Sequence, residues 1–291
     1  MVSVAATAPR RHGETEGARA TLRLGVVSYL NAAPLVYGLD RDPRFLLSLD
    51  VPSKVADLLH RGEVDLGMIP AIEYAVGDYE LVPGVAMGSR GPVRSVNLYH
   101  PGPIESVRRV AVDVSSRTSV ALLKVLLRER LGRDPEYVVL PPSVPRMLEV
   151  ADAALVIGDR ALYFEGQFED GIERLDLGAE WHRLTGLPFV FAFWAGPAGV
   201  LTKDDVLRLQ RALAEGLAAT SEIAARYNPS GDGFTVPEGV DYASVNESYL
   251  RSNIVYAFGE AEVEGLREFY RRAHAIGLIP QVPELKFHGY R

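Results

Sequence analysis

The chain of 291 residues carries 31 Lys and Arg against 38 Asp and Glu, a net charge of −7, and no cysteine. The lack of cysteine excludes a disulfide framework, iron–sulfur clusters, thiolate zinc sites and a cysteine nucleophile, and the acidic balance offers no basic field for nucleic acid. At 47% hydrophobic and 24% charged residues, the composition is that of a globular protein with one large or two medium domains.

Residues 1–20, MVSVAATAPRRHGETEGARA, place small residues ahead of Arg10 and Arg11, the reverse of a secretory signal. They are expected to be a disordered extension on a cytoplasmic protein. No stretch nears the ~20 apolar residues of a membrane span; residues 187–200 are broken by Pro188 and Pro197. From Thr21 the pattern becomes regular. LRLGVVSYL reads as a buried strand leading into a short helix at Asn31 and Pro34, FLLSLDVP (45–52) as a second strand, and VDLGMIP (64–70) as a third. Between the last two, Ser53 is the expected N-cap of a helix carrying Val55, Leu58 and Leu59 and stopping at Gly62. Three such β-then-α units predict a parallel sheet with helices on its faces.

A second series follows: VRSVNLYH extended, RRVAVDV (108–114) as strand, a helix over 117–131, YVVLP (137–141) as strand, a helix through Met147, and AALVIG (153–158) as strand. GLPFVFAFWAG (186–196) is one more apolar strand, and beyond it the chain reads as helix to its end. The expectation is an α/β protein with a first domain of residues 21–97 plus 194–291, which includes the helical tail. A second domain spans 98–193, and a ligand cleft lies between chain crossings near 95–99 and 189–195.

In VDVSSRTSVALLKVLL a strand runs into a helix through Ser115, Ser116, Arg117, Thr118 and Ser119. Free backbone N–H groups and the positive end of the helix dipole face the strand end there, so the turn suits a carboxylate or phosphate. Capping by Ser115 or Ser116 is the competing account, and it uses one hydroxyl of the four. SYLNAAP (28–34) stands at the carboxyl end of the first strand, where open sheets bind ligands, although Asn31 is also a common N-cap type. Ser95, in GPVRSVNLY at the first crossing, is either a ligand contact or a serine satisfied by backbone. Asp159, after Gly158 in VIGD, is either a base facing the cleft or a loop cap. The six histidines are scattered without ligand spacing, so no metal is expected. Trp181 and Trp194 read as core or cleft lining.

The strings GVVSYLNAAPL, GPVRSV, VAVDVSSRTSVALLKVLL, ADAALVIGD and TGLPFVFAFWA, in this order, resemble the chorismate dehydratases of the futalosine route to menaquinone, over residues 22 to about 200. The resemblance implies a two-domain fold like the type II periplasmic binding proteins, and the loss of water from chorismate to give 3-[(1-carboxyvinyl)oxy]benzoate. It implies catalytic roles for Asn31 and Ser95; beside them the expected substrate-binding set is Tyr29, Ser115, Ser116, Arg117, Thr118, Ser119, Gly158 and Asp159. No cofactor is implied. The expected partner is the small-molecule substrate, with neither nucleic acid nor membrane, and a homodimer is one option. A sister family, the 1,4-dihydroxy-6-naphthoate synthases, carries a His where Gly158 stands here. The identity of the base stays open between Asp159 and the substrate's own enolpyruvyl carboxylate. A solute-binding or ligand-sensing protein of the same fold is the alternative from another class.

Overall fold

The computed structural model describes residues 21–164, 171–228 and 239–289; residues 1–20, read above as an extension, lie outside that range. In chain order the first half runs β1 (Leu22–Val27), two 3-10 helices (Leu30–Val36 and Leu39–Arg41), β2 (Phe45–Asp50), α1 (Pro52–His60), β3 (Leu66–Pro70), a third 3-10 helix (Ala71–Val76) and β4 (Glu80–Ser89). Then come β5 (Val96–His100), β6 (Arg109–Asp113), α2 (Thr118–Leu131), β7 (Glu136–Leu140), α3 (Val144–Leu148), β8 (Ala153–Ile157), α4 (Gly158–Tyr163), β9 (Glu173–Asp176) and α5 (Leu177–Thr185). The chain finishes with β10 (Phe189–Gly196), α6 (Lys203–Ala218), α7 (Thr220–Arg226), α8 (Tyr242–Ser252) and α9 (Glu260–Ala275).

Two five-stranded sheets result, in the orders β2-β1-β3-β10-β4 and β7-β6-β8-β5-β9. Each is parallel where β/α units repeat and antiparallel where the chain returns: β10 runs against β3 and β4, and β5 against β8 and β9. The sheets are therefore mixed rather than purely parallel. The central strands β3 and β8 are buried along their whole length, which explains why LGMIP and AALVI show no polar alternation.

The chain leaves the first sheet after Ser89 and enters the second at Val96, so the crossing is residues 90–95. It returns through α5, and β10 lies wholly in the first sheet. A boundary at 193/194 cuts that strand; the sheet membership moves it upstream of Phe189. The strand is apolar throughout, so its sequence carries no mark of which sheet it joins.

The tail packs on the first sheet, with α6 against the Leu30–Val36 helix and α9 against β10. α6 starts on a capping box of Thr202 and Asp205. Arg44 grips Asp205 with two guanidinium nitrogens at 2.7 and 2.8 Å, joining the start of β2 to the tail. Burial works to raise the Asp205 carboxyl, but the Arg44 and Thr202 hydrogen bonds outweigh it and hold the group at about 2. Trp181 and Trp194 are both fully buried core residues. Ser53 falls in the first turn of α1 rather than at its N-cap, which is Val51, because Pro52 occupies the first helical position.

Candidate functional site

A cleft opens between the two sheets, lined by residues of both. Val27, Met87, Val93, Phe191 and Ile254 contribute apolar wall; Tyr29, Asn31, Ser95, Ser116, Arg117, Thr118, Ser119 and Gly158 contribute its polar and conformational features. Asn31 and Ser95, which sequence reasoning could only place on separate strand ends, therefore face the same space as the hydroxyl-rich turn.

That turn is an uncapped helix start. The N-cap position of α2 is Arg117, and among the described residues no side chain caps it, so the account of Ser115 and Ser116 as mere caps does not hold. The N–H groups of the first helical turn point along the dipole toward the cleft, a geometry suited to an anionic oxygen. Ser116 Oγ is buried without a hydrogen-bond partner among the described residues, as is Asn31 Oδ1. Thr118 Oγ1 accepts from Ile72 N at 3.1 Å across the domains and keeps its own proton for another acceptor.

Two of the expected substrate contacts stand outside the lining. Ser115 donates to Asp113 Oδ1 at 2.7 Å and lies 3.1 Å from the Tyr29 hydroxyl, so it supports Tyr29 from behind. Burial raises the Asp113 carboxyl above its usual range, against the Ser115 and backbone hydrogen bonds that lower it. Asp159 spends both oxygens on the first domain: Oδ1 accepts from Leu30 N at 3.1 Å and Oδ2 from the Tyr227 hydroxyl. Burial raises it to about 6 in spite of those two bonds. Neither the reading as a base facing the cleft nor that as a local cap describes it, since it ties α4 to the helix that carries Asn31. Asn31 sits inside that helix and is not its N-cap, which is Tyr29.

Arg117 lines the cleft, but its charge is answered by the first domain, at 2.6 Å from Asp57 and 3.0 Å from Glu73. Glu73 in turn meets His60 Nε2 at 2.7 Å. Gly158 has φ +67°, and a Cβ there would stand 2.8 Å from the Tyr29 ring. Position 158 thus has to lack a side chain for Tyr29 to sit where it does.

Ser95 is set by a crossing that is over-determined. Arg94 adopts φ +62°, which a non-glycine residue rarely holds. Asp176, the N-cap of α5, accepts from Val93 N at 3.0 Å and Arg94 N at 2.6 Å, while Asn253 donates to Pro92 O at 2.9 Å. Gly158 N donates to Ser95 O at 2.8 Å, and the Tyr249 hydroxyl donates to Ser95 Oγ at 2.7 Å. Tyr256 donates to Asn31 O at 3.0 Å. Asp176, Tyr227, Tyr249 and Tyr256 are all residues that sequence reasoning missed; three lie in the tail, whose helical pattern signals only packing. Among the described residues no three His, Asp or Glu side chains gather to hold a metal ion, and no helix is long and apolar enough to cross a membrane.

A sequence model of a family described as menaquinone biosynthesis matches residues 22–275. The chain is 35% identical over 219 residues to chorismate dehydratase of Thermus thermophilus, covering 69% of this chain and 79% of that one. Among solved structures it is similar to the protein AF1704 of Archaeoglobus fulgidus, with a TM-score of 0.69, 19% identity, and 89% of this chain and 98% of that one covered. It is also similar to the alkanesulfonate-binding protein SsuA of Xanthomonas axonopodis pv. citri, with a TM-score of 0.63, 18% identity, and 91% and 96% covered. The fold is thus that of the periplasmic binding proteins, two α/β domains around a ligand cleft.

Proposed function

The chain belongs to the menaquinone biosynthesis family, and on that premise we propose that it is a chorismate dehydratase, a carbon–oxygen lyase that converts chorismate to 3-[(1-carboxyvinyl)oxy]benzoate. We place the reaction in the cytoplasm, in the futalosine branch of the pathway. The observation that carries the reading is the pairing of an uncapped helix start with Asn31 and Ser95 across one cleft.

Chorismate is a dianion, and its ring becomes aromatic when it loses one ring proton and the neighbouring hydroxyl. The step is downhill, so the protein's task is to hold the groups in line and to stabilise the departing oxygen. The start of α2, with Ser116, Thr118 and Ser119, supplies N–H and O–H donors for one carboxylate. Asn31 and Ser95 orient the other end, and Ser95 donates to the leaving hydroxyl. The C–H bond breaks, its electron pair enters the ring, and the C–O bond to the hydroxyl breaks; proton and hydroxide leave together as water.

Asp159 is engaged at both oxygens and stands outside the cleft lining. We therefore assign the base to the substrate's own enolpyruvyl carboxylate, held against the ring proton. Gly158 supports the dehydratase over the sister naphthoate synthases, because any side chain there would displace Tyr29.

Incubating the purified chain with chorismate and following the loss of substrate and the rise of aromatic absorbance tests this directly. One aromatic product of chorismate's mass less water is expected. Saturable binding with chorismate recovered intact would overturn the enzyme reading in favour of a solute-binding protein.

A further inference from the structure

Resting on the dehydratase reading, we propose that Tyr249 is a positioning residue that fixes Ser95 as a hydrogen-bond donor toward the cleft. Tyr249 lies near the end of α8, is 1% exposed, and has its hydroxyl 2.7 Å from Ser95 Oγ.

A phenol has one proton to give. Here it goes to Ser95: the Tyr249 hydroxyl donates to Ser95 Oγ. That single proton is committed to the serine, so Ser95 Oγ is the acceptor of the pair. With its oxygen already accepting, the Ser95 hydroxyl turns its own proton away from Tyr249 and into the cleft it lines. In that orientation it meets the departing hydroxyl as a donor. Without Tyr249 the serine proton is free to turn inward and satisfy itself elsewhere, and the donor is lost for part of the time. Burial holds the Tyr249 phenol far above its ordinary value, so it stays protonated throughout the working pH range.

The seat of α8 makes this geometry rigid. Asn246, fully buried on the same helix, accepts from the Tyr163 hydroxyl of the second domain and donates to Ala224 O at 3.0 Å. Asn253, just past the helix, holds Pro92 O. The same helix therefore holds both the crossing that carries Ser95 and the phenol that orients its hydroxyl. Tyr256 is a different case. Its hydroxyl donates to the backbone carbonyl of Asn31, which fixes a position but not a proton.

The test is steady-state kinetics on chorismate for wild type, Tyr249→Phe, Ser95→Ala and the double variant, with the melting temperature of each. Tyr249→Phe is expected to lower kcat about tenfold, the worth of one aligned hydrogen bond, with KM within about twofold. In the Ser95→Ala background the same change is expected to alter kcat less than about twofold, because the group it orients is gone. Replacing Tyr249 by 3-fluorotyrosine keeps the hydroxyl and is expected to keep kcat. The proposal is overturned by wild-type kcat in Tyr249→Phe, by an equal loss in both backgrounds, by a loss in the fluorotyrosine protein as large as in Tyr249→Phe, or by a loss seen only in KM or melting temperature. Wild-type protein that leaves chorismate unchanged defeats the dehydratase reading itself; turnover by wild type and an unimpaired Tyr249→Phe defeat only the role of Tyr249.

Discussion

The Arg117 guanidinium at the start of α2 lies 2.6 Å from Asp57 on α1, so the one cation lining the cleft among the described residues is neutralised by the opposite domain. The pair, with Glu73 at 3.0 Å, bridges the two domains as a clasp. Both ends of the Asp57 pair are partly solvated, so its worth is about 1 kcal/mol or less.

Arg117→Ala is accordingly expected to raise KM for chorismate by roughly three- to tenfold while changing kcat little. It should also enlarge the ligand-free radius of gyration measured by small-angle scattering. A normal KM together with an unchanged radius would show that closure does not depend on the clasp.

Asn31→Asp keeps the side-chain size and replaces an amide with a carboxylate facing a dianionic substrate. Turnover should fall by roughly a hundredfold or more, as on removing an aligned donor from a developing negative charge, with the circular dichroism spectrum unchanged. Turnover within about threefold of wild type would remove Asn31 from the mechanism.

Thr118→Ala and Ser119→Ala test the anion seat. A hydrogen bond to a charged oxygen contributes about 1.5–3 kcal/mol, so each truncation that removes one should weaken chorismate binding about tenfold or more. Titration calorimetry on a slow variant such as Asn31→Asp or Ser95→Ala would read it. Wild-type affinity in both truncations would return the seat to backbone N–H groups alone.

Much of this cleft can be read from local sequence, and the reason is visible in the residues. β1, β6 and β8 are short, largely apolar runs ending in turn residues, and ligand contacts in a parallel unit lie just past such ends, as Asn31, Ser116 and Gly158 do. β4 escapes such a reading because Pro83 and Gly84 interrupt it, yet its pairing with β10 survives them through register shifts. The partners of Ser95 escape for a different reason. Tyr249 is 154 positions away in the chain, and no periodicity links a hydroxyl in a helical tail to a serine in a crossing. Asp159 reads from sequence as either a base facing the cleft or a loop cap, since both place a carboxylate just after a strand; only the positions of Leu30 and Tyr227 show that it is occupied.

The pH dependence of stability should carry a mark from Asp159. Its folded-state value, about 6, lies above the ordinary 3.8, so its favourable contribution is complete below about pH 4 and is lost as pH rises through about 6. Between about pH 4.5 and 7.5, urea denaturation should show wild type losing ground to Asp159→Asn by an amount on the order of 2 kcal/mol. A difference constant across that range would mean that the Tyr227 and Leu30 hydrogen bonds fully offset the burial.

The place of β4 in its sheet also bears on how the chain is made. Its neighbours are β10 on one side and, on the other, Val255 and the segment around Phe287, none of which precedes residue 189. During synthesis every strand of the second sheet leaves the ribosome before any strand partner of β4 exists. Buried residues such as Val82, Val85 and Met87 must therefore wait in a nascent chain with an open edge, the kind of surface that chaperones cover and that aggregates when left bare. Yield of soluble protein should thus depend on the speed at which residues 189–289 follow.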